Sequence, residues 1–377
     1  MPSVIYHPGY RKYAFGEDHP FSPVRVDMTL DLLHALGHDV VMREPRLATR
    51  EDILGVHEDY YVRRVEALSE GRVVPDCEDY GLGTPDNPVF PGMDEAARWL
   101  VGGTLCAARL ICESGEKRVL TLGGGLHHAR RNCASGFCIY NDLAIAINYL
   151  VRQGLWVAYL DIDVHHGDGV QEIVYEDKRV MTISLHESGK YLFPGTGEIH
   201  ELGSGLGRGL KLNLPLEPFT EGESYREVFE QVVPAALRQF YPGVLVVQAG
   251  ADAHFDDPLA DLMLTTRDYE MIFRRILELA GAFTAGRVLF TLGGGYSLRA
   301  APRVWAILYL LMHDLPVPSE LPSAWWERWT SKVGEALPRT LHDSNPGHSD
   351  IPNRAEIVHR NLQVAHRLLD SARPYWL

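Results

Sequence analysis

Asp161-Ile162-Asp163-Val164-His165-His166-Gly167-Asp168 follows directly on the apolar run Trp156-Val157-Ala158-Tyr159-Leu160. Such a run is typical of a strand that is buried on both faces of a parallel sheet. Open α/β sheets bind their ligands at the carboxyl ends of these strands. Because alternate residues of an extended chain point the same way, we expect Asp161, Asp163 and His165 on one side of the strand end. A carboxylate and an imidazole at this spacing are suitable zinc ligands.

Similar apolar runs alternate with helical patterns along the chain. The predicted strands span 118–123, 156–163, 179–186, 243–250 and 287–293, and the predicted helices span 27–36, 94–113, 143–153, 224–240 and 267–280. This alternation favours an α/β fold with a mostly parallel central sheet and helices on both faces.

The last sixty residues differ in composition from the rest. Residues 316–345 carry several prolines and the tryptophans Trp325, Trp326 and Trp329, and residues 354–370 have the pattern of one amphipathic helix. We predict a catalytic domain over 1–315 and a C-terminal extension over 316–377 that packs on the same domain. The alternative, an extension that joins a subunit interface, leaves a homo-oligomer open.

Composition limits the kinds of binding partner and the cellular compartment that we expect. The formal net charge is −14, so a basic nucleic-acid footprint is absent and a cationic substrate is attracted. The five cysteines have no disulfide-like spacing, and the N-terminus lacks the pattern of a signal peptide. We therefore expect a cytoplasmic protein that binds neither nucleic acid nor a membrane.

Three further polar clusters follow predicted strands. Gly123-Gly124-Gly125 leads into His127 and His128, Asp252 and His254 follow the run 244–247, and Gly293-Gly294-Gly295 leads into Tyr296. Two histidines suit general acid–base work, and a tyrosine hydroxyl suits stabilisation of an oxyanion. His254 has three open interpretations: a group behind the metal site, a substrate-facing group or a loop residue.

These clusters together predict a hydrolytic zinc site. Asp163, His165 and Asp252 are candidate ligands that leave a fourth position open, as catalytic zinc requires. Asp161 and Asp168 are candidates for orienting the histidines, because a carboxylate that accepts an imidazole N–H fixes the tautomer. The inventory suits hydrolysis of an amide or an ester.

The chain resembles the zinc-dependent histone deacetylases of the class I type, and especially the bacterial acetoin-utilisation deacetylases. The resemblance runs from about residue 4 to 310. It is carried in order by His19-Pro20, Asp86-Asn87-Pro88-Val89-Phe90, the segment from Gly123 to His128, Ser135-Gly136-Phe137-Cys138-Ile139-Tyr140-Asn141-Asp142, Asp161 to Gly169, Phe193-Pro194-Gly195-Thr196-Gly197, residues 248–252 and Gly293 to Tyr296.

The resemblance implies an arginase/deacetylase fold and removal of acetyl groups from lysine side chains. It implies one zinc on Asp163, His165 and Asp252, the pairs His127–Asp161 and His128–Asp168, and Tyr296 on the acetyl carbonyl. It further implies a structural potassium ion near Asp161, Ser184 and Leu185, and substrate contacts from Asp86, Gly136, Phe137, Phe193 and Leu259. The chain departs from the class I pattern at Ala253-His254 and at Leu259, where a methionine is usual.

Other functions stay open at this point. The substrate is an acetylated lysine of a protein or a small acylated amine such as an acetylpolyamine. Asp252-Ala253-His254-Phe255-Asp256 also resembles a metal segment of arginase-like binuclear ureohydrolases, although it follows the wrong strand in chain order. A non-catalytic acyl-lysine binding module would have lost a ligand, the tyrosine or the histidine pair, and all of these are present.

Overall fold

A computed structural model describes residues 2–344, 351 and 353–376. The strands are β1 (Ser3–Ile5), β2 (Met42–Arg43), β3 (Arg118–Thr121), β4 (Val157–Asp161), β5 (Val180–Glu187), β6 (Lys211–Leu216), β7 (Val244–Gln248) and β8 (Val288–Thr291). The helices are α1 (Val24–Ala35), α2 (Arg50–Leu54), α3 (Asp59–Ser69), α4 (Met93–Glu113), α5 (Asp142–Arg152), α6 (Asp168–Ile173), α7 (Gly222–Phe240), α8 (Thr266–Phe283), α9 (Ala301–Met312), α10 (Ser323–Val333) and α11 (Arg354–Ala372).

The five predicted strands are confirmed as β3, β4, β5, β7 and β8, and the six predicted helices as α1, α4, α5, α7, α8 and α11. The sequence patterns missed the remaining elements. Helix α9, for example, is buried along its whole length, so it lacks the polar face that makes helical periodicity visible.

All strand pairs are parallel, and the strands lie in the order β2-β1-β3-β8-β7-β4-β5-β6. Strands β3, β8, β7 and β4 are therefore consecutive neighbours. The four polar clusters follow these four strands, so the topology brings their carboxyl ends to one stretch of one sheet edge. This arrangement places the candidate site.

Apolar side chains alternate between the two faces of the sheet. In β7, Val244 and Val246 pack in one hydrophobic cluster with α4 and α5, whereas Leu245 and Val247 pack in the other with α7, α8 and α9. Because successive strand residues point to opposite faces, one short apolar strand serves both clusters. The result is three layers, with helices covering both faces of the sheet.

The C-terminal segment contacts the rest of the chain at several buried points. The indole Nε1 of Trp325 in α10 donates to the carbonyl of Met28 at 3.0 Å. The side chain of Asn361 in α11 accepts from the backbone N–H of Glu217 at 3.0 Å and donates to Thr220 Oγ1 at 2.8 Å. Residues 345–350, 352 and 377 of the predicted extension lie outside the described residues. The division at residue 315 stays a proposal.

No helix in the described part of the chain has the length and the apolar character needed to cross a membrane.

Candidate active site

The three predicted zinc ligands meet at the edge formed by β4 and β7. One ligand atom each from Asp163, His165 and Asp252 lies within 4.8 Å of the others, and all three residues are buried. His165 Nδ1 is 3.0 Å from Asp163 Oδ1 and 3.2 Å from Asp252 Oδ2. The imidazole nitrogen and both carboxylates therefore face one common point.

Neighbouring groups hold the two carboxylates in place. Asp163 Oδ2 accepts from Gln248 Nε2 at 2.6 Å and from the backbone N–H of Gly294 at 2.8 Å. Asp252 Oδ1 accepts from the backbone N–H of Val164 at 2.9 Å. These bonds orient the ligands and leave the other oxygen of each carboxylate next to His165.

The charges of this trio fit a bound cation. Burial lowers the pKa of His165, but the hydrogen bonds and charges of Asp163 and Asp252 outweigh burial and raise that pKa to about 10. Burial and the facing Asp163 carboxylate raise the pKa of Asp252. Two carboxylates removed from water thus demand positive charge, which a divalent metal supplies.

Glycines provide the space beside these ligands. A Cβ at Gly294 would lie 1.9 Å from Asp252 Oδ2, and a Cβ at Gly250 would lie 2.5 Å from Asp163 Oδ2. Only glycine lets the backbone approach the carboxylates this closely. The donor set of two oxygens and one nitrogen is one that zinc accepts, so the residues present fit the metal.

Each predicted histidine–carboxylate pair is formed. His127 Nδ1 lies 2.8 Å from Asp161 Oδ2, and His128 Nδ1 lies 2.7 Å from Asp168 Oδ1. A charged carboxylate only accepts hydrogen bonds, so Nδ1–H donates in both pairs and Nε2 is left for other partners. His127 Nε2 lies 3.8 Å from Asp163 Oδ1. Arg130 also donates to Asp168, at 3.0 Å.

The two adjacent histidines have opposite electrostatic environments. Burial lowers the pKa of His127, but the charges of Asp161 and Asp163 outweigh it and raise that pKa to about 9. Burial and the positive charge of His127 lower the pKa of His128 to about 4. These surroundings favour the neutral form of His128, which keeps a ring nitrogen with a free lone pair, and the protonated form of His127.

Tyr296 lies at the end of the turn after β8. Burial raises its pKa well above the ordinary value, so its hydroxyl stays a donor. The Asp257 carboxylate accepts from the backbone N–H of Tyr296 at 2.6 Å. Arg25 donates to the carbonyl of Gly295 at 2.7 Å, and its guanidinium carbon lies 5.6 Å from the Tyr296 ring centre.

Two aromatic side chains flank the site. The Phe137 ring centre is 5.7 Å from that of Tyr296, and the Phe193 ring centre is 5.0 Å from that of His128. Phe193 is 42% exposed, so it lies toward the surface. Gly136 packs closely against His128 and Phe193: a Cβ there would lie 2.4 Å from His128 Cδ2 and 2.9 Å from Phe193 Cε1.

A small cavity opens between these groups. It is lined by His127, His128, Phe137, Asp163 and Tyr296, among others. The structure thus gathers the histidine pair, one carboxylate of the trio, the tyrosine and one aromatic ring around a single space.

The remaining predicted substrate residues lie farther out. Asp86 is exposed, and its backbone carbonyl lies 3.3 Å from His19 Nε2, whose ring packs 4.5 Å from Phe137. Leu259 is half-buried, and its backbone N–H donates to Asp257 at 3.1 Å. Their contacts with substrate stay predictions.

The residues predicted around potassium are neighbours on two strands. Asp161 in β4 pairs in register with Ser184 in β5, and Leu185 follows it. Asp161 also holds His127 and accepts from the Tyr159 hydroxyl at 2.5 Å. The potassium site stays a prediction.

Sequence reasoning gave no role to several supporting residues. Gln248 and Gly294 belong to the motifs above but had no predicted role. Asp257 lies in the polar stretch after β7, and its carboxylate close to Asp252 could have marked it as a candidate site residue. Arg25 had no such signal, because it stands before the predicted helix 27–36 and a single arginine is ordinarily a surface residue. His254 is completely buried and points to Asp343 at 3.0 Å.

The geometry of His254 bears on the binuclear alternative. Since its Nε2 faces Asp343 and its Nδ1 faces the backbone N–H of Asp256, neither nitrogen is directed at the trio. Within the described ranges of the chain, the trio is the one group of His, Cys, Asp or Glu side chains that could hold a metal. A single metal is therefore the arrangement that these residues support.

Comparisons with known proteins agree with this geometry. A family model of the histone deacetylase domain matches residues 19–312. The chain is 42% identical to the acetoin utilization protein AcuC of Bacillus subtilis (strain 168) over 374 residues, which cover 98% of this chain and 97% of that protein. It is 36% identical to the protein of the same name in Staphylococcus aureus (strain MSSA476), over 96% of this chain and 95% of the relative.

Solved structures agree as well. A histone deacetylase homologue from Aquifex aeolicus superposes with a TM-score of 0.86 at 28% identity, covering 96% of this chain and 99% of that one. A homologue complexed with SAHA gives the same TM-score and identity, covering 95% of this chain and 99% of the other. The fold is thus the arginase/deacetylase fold of these homologues, and the chain belongs to the histone deacetylase family, whose members are metal-dependent deacetylases.

Proposed function

We propose that this protein is a zinc-dependent lysine deacetylase that hydrolyses the acetyl amide of N-ε-acetyl-lysine and releases acetate. The observation that carries the proposal is the convergence of Asp163, His165 and Asp252 within 4.8 Å, beside the His128–Asp168 pair. Zinc bound there would polarise the amide carbonyl and make a water molecule a better nucleophile.

The proton transfers fall to His128. Asp168 holds its Nδ1–H, so Nε2 is free to take a proton from the attacking water. The same nitrogen then delivers that proton to the leaving lysine amine as the C–N bond breaks. His127, whose pKa Asp161 and Asp163 raise, contributes positive charge rather than a proton acceptor.

Tyr296 and the aromatic walls act on the substrate directly. The Tyr296 hydroxyl would donate to the oxygen that gains negative charge when water attacks the carbonyl. Phe137 and Phe193 would form the walls of a narrow tunnel around the lysine methylenes, Leu259 would line that tunnel, and Asp86 would hold the substrate backbone at its rim. Contact with methylene groups suits the apolar rings of Phe193 and Phe137, which lie beside His128 and Tyr296.

We also propose a structural potassium ion near Asp161, Ser184 and Leu185. Its support is the register of β4 and β5, which puts a carboxylate and a hydroxyl side by side. Hard oxygen donors of this kind suit an alkali cation. Its role would be to fix Asp161, and through it His127.

The test is acetate release by purified full-length protein that has been stripped with a chelator and reloaded with zinc. An acetyl-lysine peptide, an acetylpolyamine and longer acyl-lysines serve as substrates. We expect the peptide to be hydrolysed, one zinc per chain, and no turnover by the Asp163→Asn variant. Asp314→Asn is the matched control, because that exposed carboxylate pairs with Arg118 away from the site.

The outcomes separate the alternatives. Faster turnover of the acetylpolyamine would replace the protein substrate by a small amine. Two metals per chain would favour the binuclear reading, and a zinc-loaded protein that binds acetylated peptide without releasing acetate would refute the enzymatic proposal.

A further inference from the structure

The imidazole of His254 connects the metal-ligand loop to the C-terminal segment. His254 lies two residues after Asp252 and is completely buried. Its Nδ1 accepts from the backbone N–H of Asp256 at 3.1 Å, and its Nε2 lies 3.0 Å from Asp343 Oδ2. Because an amide N–H only donates, Nδ1 must accept, so Nε2–H donates to Asp343.

Asp343 is anchored in the body of the protein by other bonds. Its Oδ2 accepts from the backbone N–H and the hydroxyl of Thr266, both at 2.8 Å, at the start of α8. Its Oδ1 accepts from Arg303 at 2.8 Å, and the exposed fractions of these two side chains are 7% and 2%. A carboxylate at a helix N-terminus that is paired with a buried arginine has a defined position.

The loop that His254 holds supports both sides of the active site. Its first residue is the ligand Asp252. Near its end, Asp256 accepts from the Ser297 hydroxyl at 2.7 Å and Asp257 accepts from the backbone N–H of Tyr296 at 2.6 Å. A shift of this loop would therefore move a metal ligand and the tyrosine together.

The bond to His254 is not needed to satisfy the charge of Asp343. Arg303 and Thr266 already pair with both of its oxygens. The bond instead adds a long-range contact to a ring that is otherwise held by its sequence neighbours, through the backbone N–H of Asp256 and stacking on Phe255. It therefore transmits the position of α8 and of the C-terminal segment to the loop over 252–257.

We propose that Asp343 is a positioning residue of the active site, which acts through His254 to place Asp252 and Tyr296. This inference rests on the proposed function for the roles of those two residues. According to this proposal, the C-terminal segment helps to set the geometry of the active site. Nothing local in the sequence indicated this link, because residues 254 and 343 are far apart.

The decisive variant is His254→Asn. The asparagine Oδ1 replaces Nδ1 as the acceptor for Asp256, but the shorter side chain ends before Asp343, whose bonds to Arg303 and Thr266 remain. Trp329→Phe is the matched control, because it removes the hydrogen bond from indole Nε1 to Asp31 at 2.7 Å. That bond also connects the C-terminal segment to the rest of the protein, but its acceptor is on α1 and not in the loop over 252–257. Asp343→Asn is the second test of the link.

Two measurements are made on each full-length variant. The zinc dissociation constant comes from competition between the metal-free protein and a chromogenic chelator, and kcat and KM come from zinc-saturated turnover of an acetyl-lysine peptide. Residues behind metal ligands typically change affinity or activity by about 10- to 100-fold when mutated. We expect a change of this size in the zinc dissociation constant and in kcat, with KM nearly unchanged, for His254→Asn and Asp343→Asn.

Thermal unfolding separates positioning from loss of fold. Trp329→Phe is expected to lose stability but to keep the zinc affinity and kcat of the starting protein. The inference is overturned if His254→Asn, compared at equal folded fraction, matches Trp329→Phe in both measurements. If the starting protein releases no acetate, the proposed function fails, whereas the zinc affinities still decide the positioning role.

Discussion

At the scale of single residues, identical side chains acquire different chemistry from their partners. His127 and His128 are adjacent, with ring centres 4.0 Å apart, and each donates to its own carboxylate. Asp161 and Asp163 give His127 a raised pKa, whereas burial and its charged neighbour lower that of His128. The two adjacent rings therefore differ in pKa, and this difference underlies the separate roles that we propose for them.

Tyr296→Phe tests the assignment of the oxyanion donor. Removal of the hydroxyl is expected to lower kcat by roughly 10²–10³, the typical loss for one such donor. The ring that packs near Phe137 and Arg25 is retained, so zinc affinity and thermal unfolding should stay unchanged. Steady-state kinetics at saturating peptide provides the measurement, and turnover close to the original would reject the role.

Residues next to a strand end were predictable, and residues that reach the site from a distance were not. Asp163, His165, Asp252 and Tyr296 each follow an apolar run, so strand geometry alone indicated a shared edge. Arg25 comes from α1, and Asp343 comes from the C-terminal segment. Their importance depends on burial, and the sequence alone does not show whether a charged residue is buried.

At the scale of elements, length and composition decided which strands could be recognised. The runs that became β3, β4, β7 and β8 are mostly apolar and lead into the four polar clusters. Strands β1 and β2 have three and two residues, too few to show any pattern. Strand β6 contains Lys211 and Pro215, which are unfavourable in strands, yet it is buried throughout.

Lys211 makes the stability of β6 depend on pH. Burial lowers its pKa from 10.5 to about 7, and its Nζ donates to the carbonyl of Val180 at 2.6 Å. Between pH 7 and 10 the unfolded chain binds this proton and the native one does not, so this residue's contribution to the free energy of unfolding rises with pH.

Lys211→Met removes that dependence. We expect the stability of the variant relative to the original protein to be greatest at or below pH 7 and to fall steadily as the pH rises toward 10. Urea unfolding of both proteins at several pH values gives the difference directly. A difference that does not vary with pH would contradict a lowered pKa for Lys211.

At the scale of the whole molecule, the C-terminal segment is bound to the rest through buried aromatic groups. Trp325 is 1% exposed, and its indole is bonded to α1. Trp325→Ala is expected to cost about 3–5 kcal/mol of unfolding free energy, as for other buried large-to-small changes. Trp156→Ala is the control, because Trp156 is 43% exposed and should matter far less. Equal losses in denaturant unfolding would refute the distinction.

The overall charge predicts which substrates arrive fastest. With a formal net charge of −14, the protein attracts cations over a distance that salt shortens to about 10 Å at 0.1 M. We expect kcat/KM for an acetyl-lysine peptide with flanking lysines to fall as salt is added. A peptide with neutral flanks should change little, and identical salt dependence for both peptides would exclude steering.

The order in which the site residues occur along the chain also has a consequence for synthesis of the protein. Asp163 and His165 leave the ribosome well before Asp252, and Tyr296 and Asp343 later still. A nascent chain that has emerged only as far as β6 offers two of the three side chains of the trio, so it has no complete pocket in which to retain a metal. Prematurely terminated translation products would therefore lack deacetylase activity, and hydrolytic capacity would arise only when almost the entire polypeptide has been made.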